Sequence, residues 1–260
     1  FSGLDTAYCL NGAEDTLRAN PAGGIFSGSS GIINDSIFIP SLAGVSDSIA
    51  IIYEYFDVLT SCFNRDTQYT KVYNIPNVDA GLDKTVCEGD TTILVAQYQG
   101  GLAYIWSTGD ADTMTTIIPV ATDKYYITVV DSITGCMNYD SVEVYVNPLP
   151  VADAGRDTSL CIGDSLLLVA NGGDTYSWNT GHTNDSIYVS PVLSTMYYVT
   201  VTNSVTGCSN VDSIFVMVNP LPIVSAGNDT VVCFGDSVQL SASGGVRYSW
   251  SAGTSNDTIS

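Results

Sequence analysis

The chain has 260 residues, and 27 Asp and Glu against seven Lys and Arg give it a formal net charge of −20. A polyanion of this kind repels nucleic acid and anionic membrane surfaces, so no nucleic-acid partner is expected. With 45% of residues hydrophobic and the carboxylates spread singly rather than in blocks, disorder is excluded too.

No run of 18 apolar residues occurs, so no direct membrane span is expected. The chain begins at Phe1 without a Met or a signal-peptide pattern and reads as a mature or internal fragment. Seven cysteines with no C-x-x-C pair, beside a single histidine, point away from zinc and towards disulfides in an oxidising compartment.

In chain order, Gly-x-Asp-x-x-x-Cys opens four units: Gly3 to Cys9, Gly81 to Cys87, Gly155 to Cys161 and Gly227 to Cys233. The run Val146-Asn147-Pro148-Leu149-Pro150 returns 72 residues later as Val218-Asn219-Pro220-Leu221-Pro222. The expected repeats are therefore 1–77 (divergent), 78–150, 151–222 and a truncated 223–260. Two prolines in each short connector stiffen it, which predicts an extended rod.

The second repeat carries period-two apolar positions at Val142, Val144 and Val146. The third carries them at Leu166, Leu168, Ala170, at Tyr197, Val199, Val201, and at Ile214, Val216, Val218; the fourth at Val238, Leu240 and Ala242. Short runs of this period between turn residues predict strands with one buried face, hence an all-β fold of tandem β-sandwiches. Trp106, Trp178 and Trp250 each follow a Tyr-x pair and lead into a Gly-containing turn, with Phe26 at the matching place in the first repeat. One large aromatic on the third strand is expected to plug the core rather than offer a platform for a sugar ring.

A second cysteine, Cys62, Cys136 or Cys208, closes each of the first three repeats. The expected bonds are Cys9–Cys62, Cys87–Cys136 and Cys161–Cys208, with Cys233 unpaired because its repeat is cut. Cross-repeat pairing, including a Cys62–Cys87 link over the first junction, is the rival. A disulfide closing nearly fifty residues is worth roughly 4 kcal/mol in the chain-entropy model.

Catalysis finds little support. His182 lies in the polar turn Thr180-Gly181-His182-Thr183 with no second histidine, and the carboxylates recur once per strand rather than once per site. No catalytic residue and no cofactor is expected. Calcium is the one possible ion, with candidate ligands Asp79 and Asp83, Asp153 and Asp157, and Asp110 with Asp112, although Ser225 replaces the acid in the fourth repeat.

Asp-Ala-Gly-x-Asp, Cys-x-Gly-Asp, Tyr-x-Trp, Tyr-Tyr-x-Thr-Val, Thr-Gly-Cys and Val-Asn-Pro-Leu-Pro together resemble the Ig-like or PKD-like repeats of very large Bacteroidetes surface and secreted proteins, the class of gliding-motility adhesins and type IX secretion cargo. The resemblance spans the chain and is weakest in the first repeat, which lacks the Trp and Thr-Gly-Cys. It implies an extracellular or cell-surface location and a structural or adhesive role as rod, fibre or filament. The implied partners are further repeats of the same chain, filament neighbours or surface glycans. Such repeats also serve as spacers or carbohydrate-binding parts of secreted polysaccharide-degrading enzymes, which is the second reading.

Of 23 aspartates, 17 precede Ser or Thr, and 14 of these continue into Asp-Ser/Thr-apolar (or Thr) triplets. The hydroxyls are Thr6, Thr16, Ser36, Ser48, Thr91, Thr113, Ser132, Ser141, Ser165, Ser186, Ser213, Thr230, Ser237 and Thr258. Turn chemistry followed by an inward strand residue accounts for part of this bias. The triplet also looks like the O-glycosylation motif of exported Bacteroidetes proteins, which makes these hydroxyls glycan candidates. The Asn sequons at Asn34, Asn184, Asn228 and Asn256 overlap the same triplets and read as incidental.

Overall fold

The period-two runs become paired strands whose inward residues meet across two sheets. A computed structural model describes residues 1–251 and 255–259. The chain divides into two units, Phe1–Pro148 and Leu149–Ser260.

The first unit begins with β1 (Ala7–Cys9), β2 (Asp15–Thr16), β3 (Ile25–Ser27), β4 (Ile32–Ile33), β5 (Ile37–Phe38), the helical turn α1 (Pro40–Ala43), β6 (Ser46–Asp57) and β7 (Cys62–Tyr73). One sheet has the order β1-β7-β6-β3 and the facing sheet β2-β5-β4. Phe26, Ile51, Tyr53 and Val72 from the first meet Leu17 and Phe38 from the second in one core.

The same unit continues with β8 (Lys84–Cys87), β9 (Thr92–Val95), β10 (Leu102–Trp106), β11 (Met114–Ile117), β12 (Asp123–Asp131) and β13 (Met137–Asn147). The sheets are β10-β12-β13-β8 and β11-β9. Val129, Val142 and Val144 are fully buried beneath Trp106, which is 1% exposed. The aromatic is the core plug expected of a sandwich.

The second unit repeats this plan with β14 (Thr158–Cys161), β15 (Leu166–Val169), β16 (Thr175–Trp178), β17 (Ser186–Val189), β18 (Thr195–Thr202) and β19 (Ser209–Asn219). Its sheets are β14-β19-β18-β16 and β15-β17, closed over Trp178, Val199, Val201 and Val216. Beyond Pro222, among the described residues, β20 (Leu240–Ser241) pairs with β21 (Thr258–Ile259) and Ser225 bridges Ser243, and Val238, Leu240 and Ala242 are half-buried. The Gly-containing turn after Trp250 falls on residues outside the description.

In all three complete sandwiches the opening strand runs parallel to the last one, whereas the other pairings are antiparallel. The motif residues make that arrangement. Gly81 and Gly155 take φ of 84° and 88°, a left-handed turn that glycine enters without a Cβ penalty. The motif aspartate two residues on then accepts a backbone N–H of the last strand: Asp83 from Glu143 at 2.8 Å, Asp157 from Phe215 at 2.9 Å.

Candidate functional site

The parallel opening strand decides where each cysteine lies. Cys87 stands level with Asn147 at the far end of β13, and Cys161 stands level with Asn219 at the far end of β19. Cys136 and Cys208 sit at the opposite ends of those strands, just before Met137 and Ser209. At about 3.3 Å per residue, an eleven-residue strand holds the two cysteines of one repeat roughly 30 Å apart. A disulfide needs Cα atoms within about 7 Å.

The expected intra-repeat pairs are therefore corrected. Cys9 bonds Cys136, with Cα atoms 5.5 Å apart and 127 residues between them, so the covalent link runs from one sandwich to the next. Cys9–Cys62 does not form, and Cys62 is an exposed free thiol. Cys87–Cys136 does not form, because Cys136 is taken by Cys9. Cys161–Cys208 does not form either: Cys161 is an exposed thiol, while Cys208, like Cys87, is disulfide-bonded. The Cys62–Cys87 alternative is overturned by the same free thiol. Cys233 is free and exposed.

Two stations recur around these residues. At the first, a tight turn follows each opening cysteine, which ends a strand in the three complete repeats: the N–H groups of Gly12, Asp90, Asp164 and Asp236 donate to the carbonyls of Cys9, Cys87, Cys161 and Cys233 at 2.8–3.1 Å. The next N–H, of Leu10, Glu88 or Ile162, donates to the last residue of the closing strand, Tyr73, Asn147 or Asn219.

At the second station a hairpin tip presents Cys62, Cys136 or Cys208, always five residues after an Asp or Asn. Asp57 Oδ1 accepts from Leu59 and Thr60, Asp131 Oδ1 from Ile133 and Thr134, and Asn203 Oδ1 from Val205 and Thr206. The backbone N–H of Leu59 holds the Asp57 carboxyl below the usual carboxylate range, and that of Ile133 does the same for Asp131. Gly135 and Gly207 turn the tip at φ 75°, and Ser61 takes φ 57° in their place.

Each tip also reads Cys-x-Asn, a signal that the sequence contains and that spacing arguments pass over: Cys62 to Asn64, Cys136 to Asn138, Cys208 to Asn210. The amide of Asn138 donates to the carbonyl of Pro76 at 3.1 Å, and that of Asn210 to Pro150 at 3.2 Å. Both prolines belong to the connector preceding the repeat. The Cys136 and Cys208 tips are thus folded back onto their own connectors, and in the first unit Asn11 adds a bond to the carbonyl of Met137 at 3.1 Å.

The candidate calcium ligands accept hydrogen bonds from nearby backbone N–H groups and hydroxyls. Asp79 accepts from Gly81, Asp153 from Gly155, Asp112 from Thr113, and Asp110 from the hydroxyls of Thr108 and Thr115. With Asp83 and Asp157 on the last strands, no group of three or more acidic, His or Cys side chains gathers to hold a metal among the described residues. His182 sits in an exposed turn, with Nδ1 2.9 Å from the hydroxyl of Thr180. Of the glycan candidates, Thr6, Thr16, Ser48, Thr91, Ser132, Ser165, Thr230 and Ser237 are exposed, and the other six are half-buried. Asp140 and Asp212, which start two of those triplets, accept the N–H groups of Ala80 and Ala154, a role the sequence reading missed.

No protein-family model matches the chain, and no curated protein matches it. Among solved structures it is similar to a three-immunoglobulin-domain titin fragment (10% identity, 82% of this chain and 95% of that one, TM-score 0.34). It is similar also to the eight N-terminal Ig domains of Down Syndrome Cell Adhesion Molecule (15% identity, 84% and 40%, TM-score 0.32). A third likeness is to the fibronectin(III)-like modules of Clostridium thermocellum CbhA (13% identity, 55% and 94%, TM-score 0.27).

Proposed function

We propose that this chain is a structural or adhesive repeat region of a larger secreted or cell-surface protein, acting as a rod, fibre or filament. The observation that carries the reading is the Cys9–Cys136 bond: it ties two successive sandwiches together rather than closing either one. A cross-link placed between modules resists their separation under load and contributes nothing to a catalytic pocket. Trp106 and Trp178 are buried in their cores, so neither offers its ring to a sugar. The exposed hydroxyls of the Asp-Ser/Thr triplets fit a glycan sheath that would shield strand edges.

The second reading, a spacer or carbohydrate-binding part of a polysaccharide-degrading enzyme, finds one supporting feature. A shallow cleft in the first sandwich is lined by Tyr53, Tyr55, Phe63 and Arg65. Antibody labelling of intact source cells and deletion of this region separate the two. Surface labelling with loss of cell attachment supports the rod; unchanged attachment with loss of polysaccharide hydrolysis supports the spacer.

A further inference from the structure

We infer that the thiol of Cys161 is an open position in a ladder of cross-repeat disulfides, in which the opening-strand cysteine of each repeat bonds the hairpin-tip cysteine of the following repeat. The occupant of this position is the Cys-x-Asn tip of the next repeat of the same chain. The inference rests on the repeat reading above but not on adhesion.

Four observations converge. Cys9 bonds Cys136, the tip cysteine one repeat on. Cys161 occupies the same place as Cys9, since each ends a strand parallel to the last strand, the following N–H donates to that last strand, and a three-residue turn returns to its carbonyl. The tip lies next to the connector that joins it to the preceding repeat, because Asn138 and Asn210 hold the carbonyls of Pro76 and Pro150. Cys87, at the opening-strand place, and Cys208, at the tip place, are each disulfide-bonded and neither is a free thiol.

Within its own repeat Cys161 has no reachable partner, since Cys208 lies at the other end of β19. From Asn219, level with Cys161, the chain enters Pro220-Leu221-Pro222, and the tip of the repeat that follows would return to that connector. The rule gives Cys62 the complementary part: it is a tip cysteine, exposed and free, followed by Asn64, and takes an opening-strand cysteine of a repeat before it.

Each rung forms by thiol–disulfide exchange. One thiolate attacks the disulfide of an oxidant, either a protein oxidoreductase or glutathione disulfide, giving a mixed disulfide and releasing one thiol. The second cysteine's thiolate then displaces the other thiol, so two protein thiols lose two electrons and two protons and the oxidant's disulfide gains them.

The whole 260-residue chain, refolded with glutathione disulfide, alkylated and digested without reduction, tests the rule. A linked Cys9/Cys136 peptide is expected, with Cys62, Cys161 and Cys233 alkylated. A second protein extends the chain after Ser260 with a copy of its own residues 189–222 in which the copy of Ser209 is Ala, so that the grafted tip peptide differs in mass from that of Cys208; the extension completes the fourth repeat and supplies a tip. Loss of Cys161 alkylation and a link from Cys161 to the grafted tip are expected there, with Cys233 still alkylated. The Cys9/Cys136 link in the same digest reports that the protein has folded. Cys161 linked to Cys208, Cys161 linked to a second copy, or Cys161 fully alkylated beside an intact Cys9/Cys136 link overturns the ladder. Failure of the adhesion test, by contrast, leaves these links unchanged.

Discussion

The carboxylate of Asp157 accepts the backbone N–H of Phe215 at 2.9 Å, and this bond locks the opening strand of the third sandwich beside its last. The arrangement is what sends Cys161 to the far end of the sheet from Cys208. An Asp157→Ala variant should lose about 1 kcal/mol from that sandwich and expose β14 to hydrogen exchange. Asp157→Asn retains an acceptor oxygen and should stay within about 0.5 kcal/mol of the parent. Equal loss in both variants would show that charge, rather than the hydrogen bond, fastens the strand.

Asp131 provides a pH-dependent counterpart. Its folded pKa is lowered chiefly by the Ile133 N–H, so its contribution is present above the ordinary carboxylate value of about 3.9 and lost as pH falls through the lower folded value. Asn203 fills the same place in the third repeat and does not titrate. On acidification the Ile133 amide resonance should shift while that of Val205 stays put, and Asp131→Asn should abolish the Ile133 shift. NMR titration of the two amides checks this; parallel movement of both would refute it.

Much of the fold was legible because period-two burial is a local property. Val199, Val201, Ile214 and Val216 alternate with exposed or half-buried neighbours, and all four are buried in the structure. Trp106 and Trp178 were readable as core for the same reason. Disulfide partners were not readable, because alternation says which face a strand buries and nothing about which strand lies beside it. Whether Cys87 lies near Cys136 or at the other end of the sheet depends on the parallel pairing of β8 with β13. The Cys-x-Asn tips were visible as letters, yet their meaning needed the connector carbonyls of Pro76 and Pro150.

The two buried tryptophans should not respond equally to truncation. Trp178 Nε1 donates to the carbonyl of Asn184 at 3.0 Å, whereas Trp106 Nε1 is buried without a hydrogen-bond partner. Trp→Phe opens a similar void at either site. At Trp178 it also removes a hydrogen bond to Asn184, and at Trp106 it removes an unsatisfied donor. Trp178→Phe should therefore be the more damaging by about 1–3 kcal/mol. Hydrogen exchange of Val199 and Val129 in the respective variants reads each sandwich separately, and equal losses would contradict the difference.

Glycan attachment should follow exposure. If the Asp-Ser/Thr triplets are modified in the native protein, Thr91, Ser132, Ser165 and Ser237, which are exposed, should carry more glycan than half-buried Ser141 and Ser213. The last two stand on strands that pair on both sides, β13 with β12 and β8, and β19 with β18 and β14. Intact mass followed by glycopeptide mapping measures the occupancy. A native mass equal to that of the bare chain would dismiss the modification altogether.

Reduction should separate the first two sandwiches without unfolding them. Closing a loop of more than a hundred residues is worth about 5 kcal/mol in the chain-entropy model, but that figure refers to a wholly unfolded chain. Here the bond links two modules whose cores, around Ile51 and Val72 in one and Val129 and Val144 in the other, contain no disulfide of their own. Breaking it removes a tether at the junction and leaves both sets of buried side chains in place. In reductant, far-UV circular dichroism and the slow exchange of Ile51 and Val129 should persist, while the connector around Pro76 should become open to protease as the Asn138 bond loosens. Cys9→Ser should reproduce this behaviour in oxidant, because Cys136 then has no thiol opposite it. Loss of strand content on reduction would mean that the bond holds the sandwiches themselves together, and the intermodule role argued for Cys9 and Cys136 would fall with it.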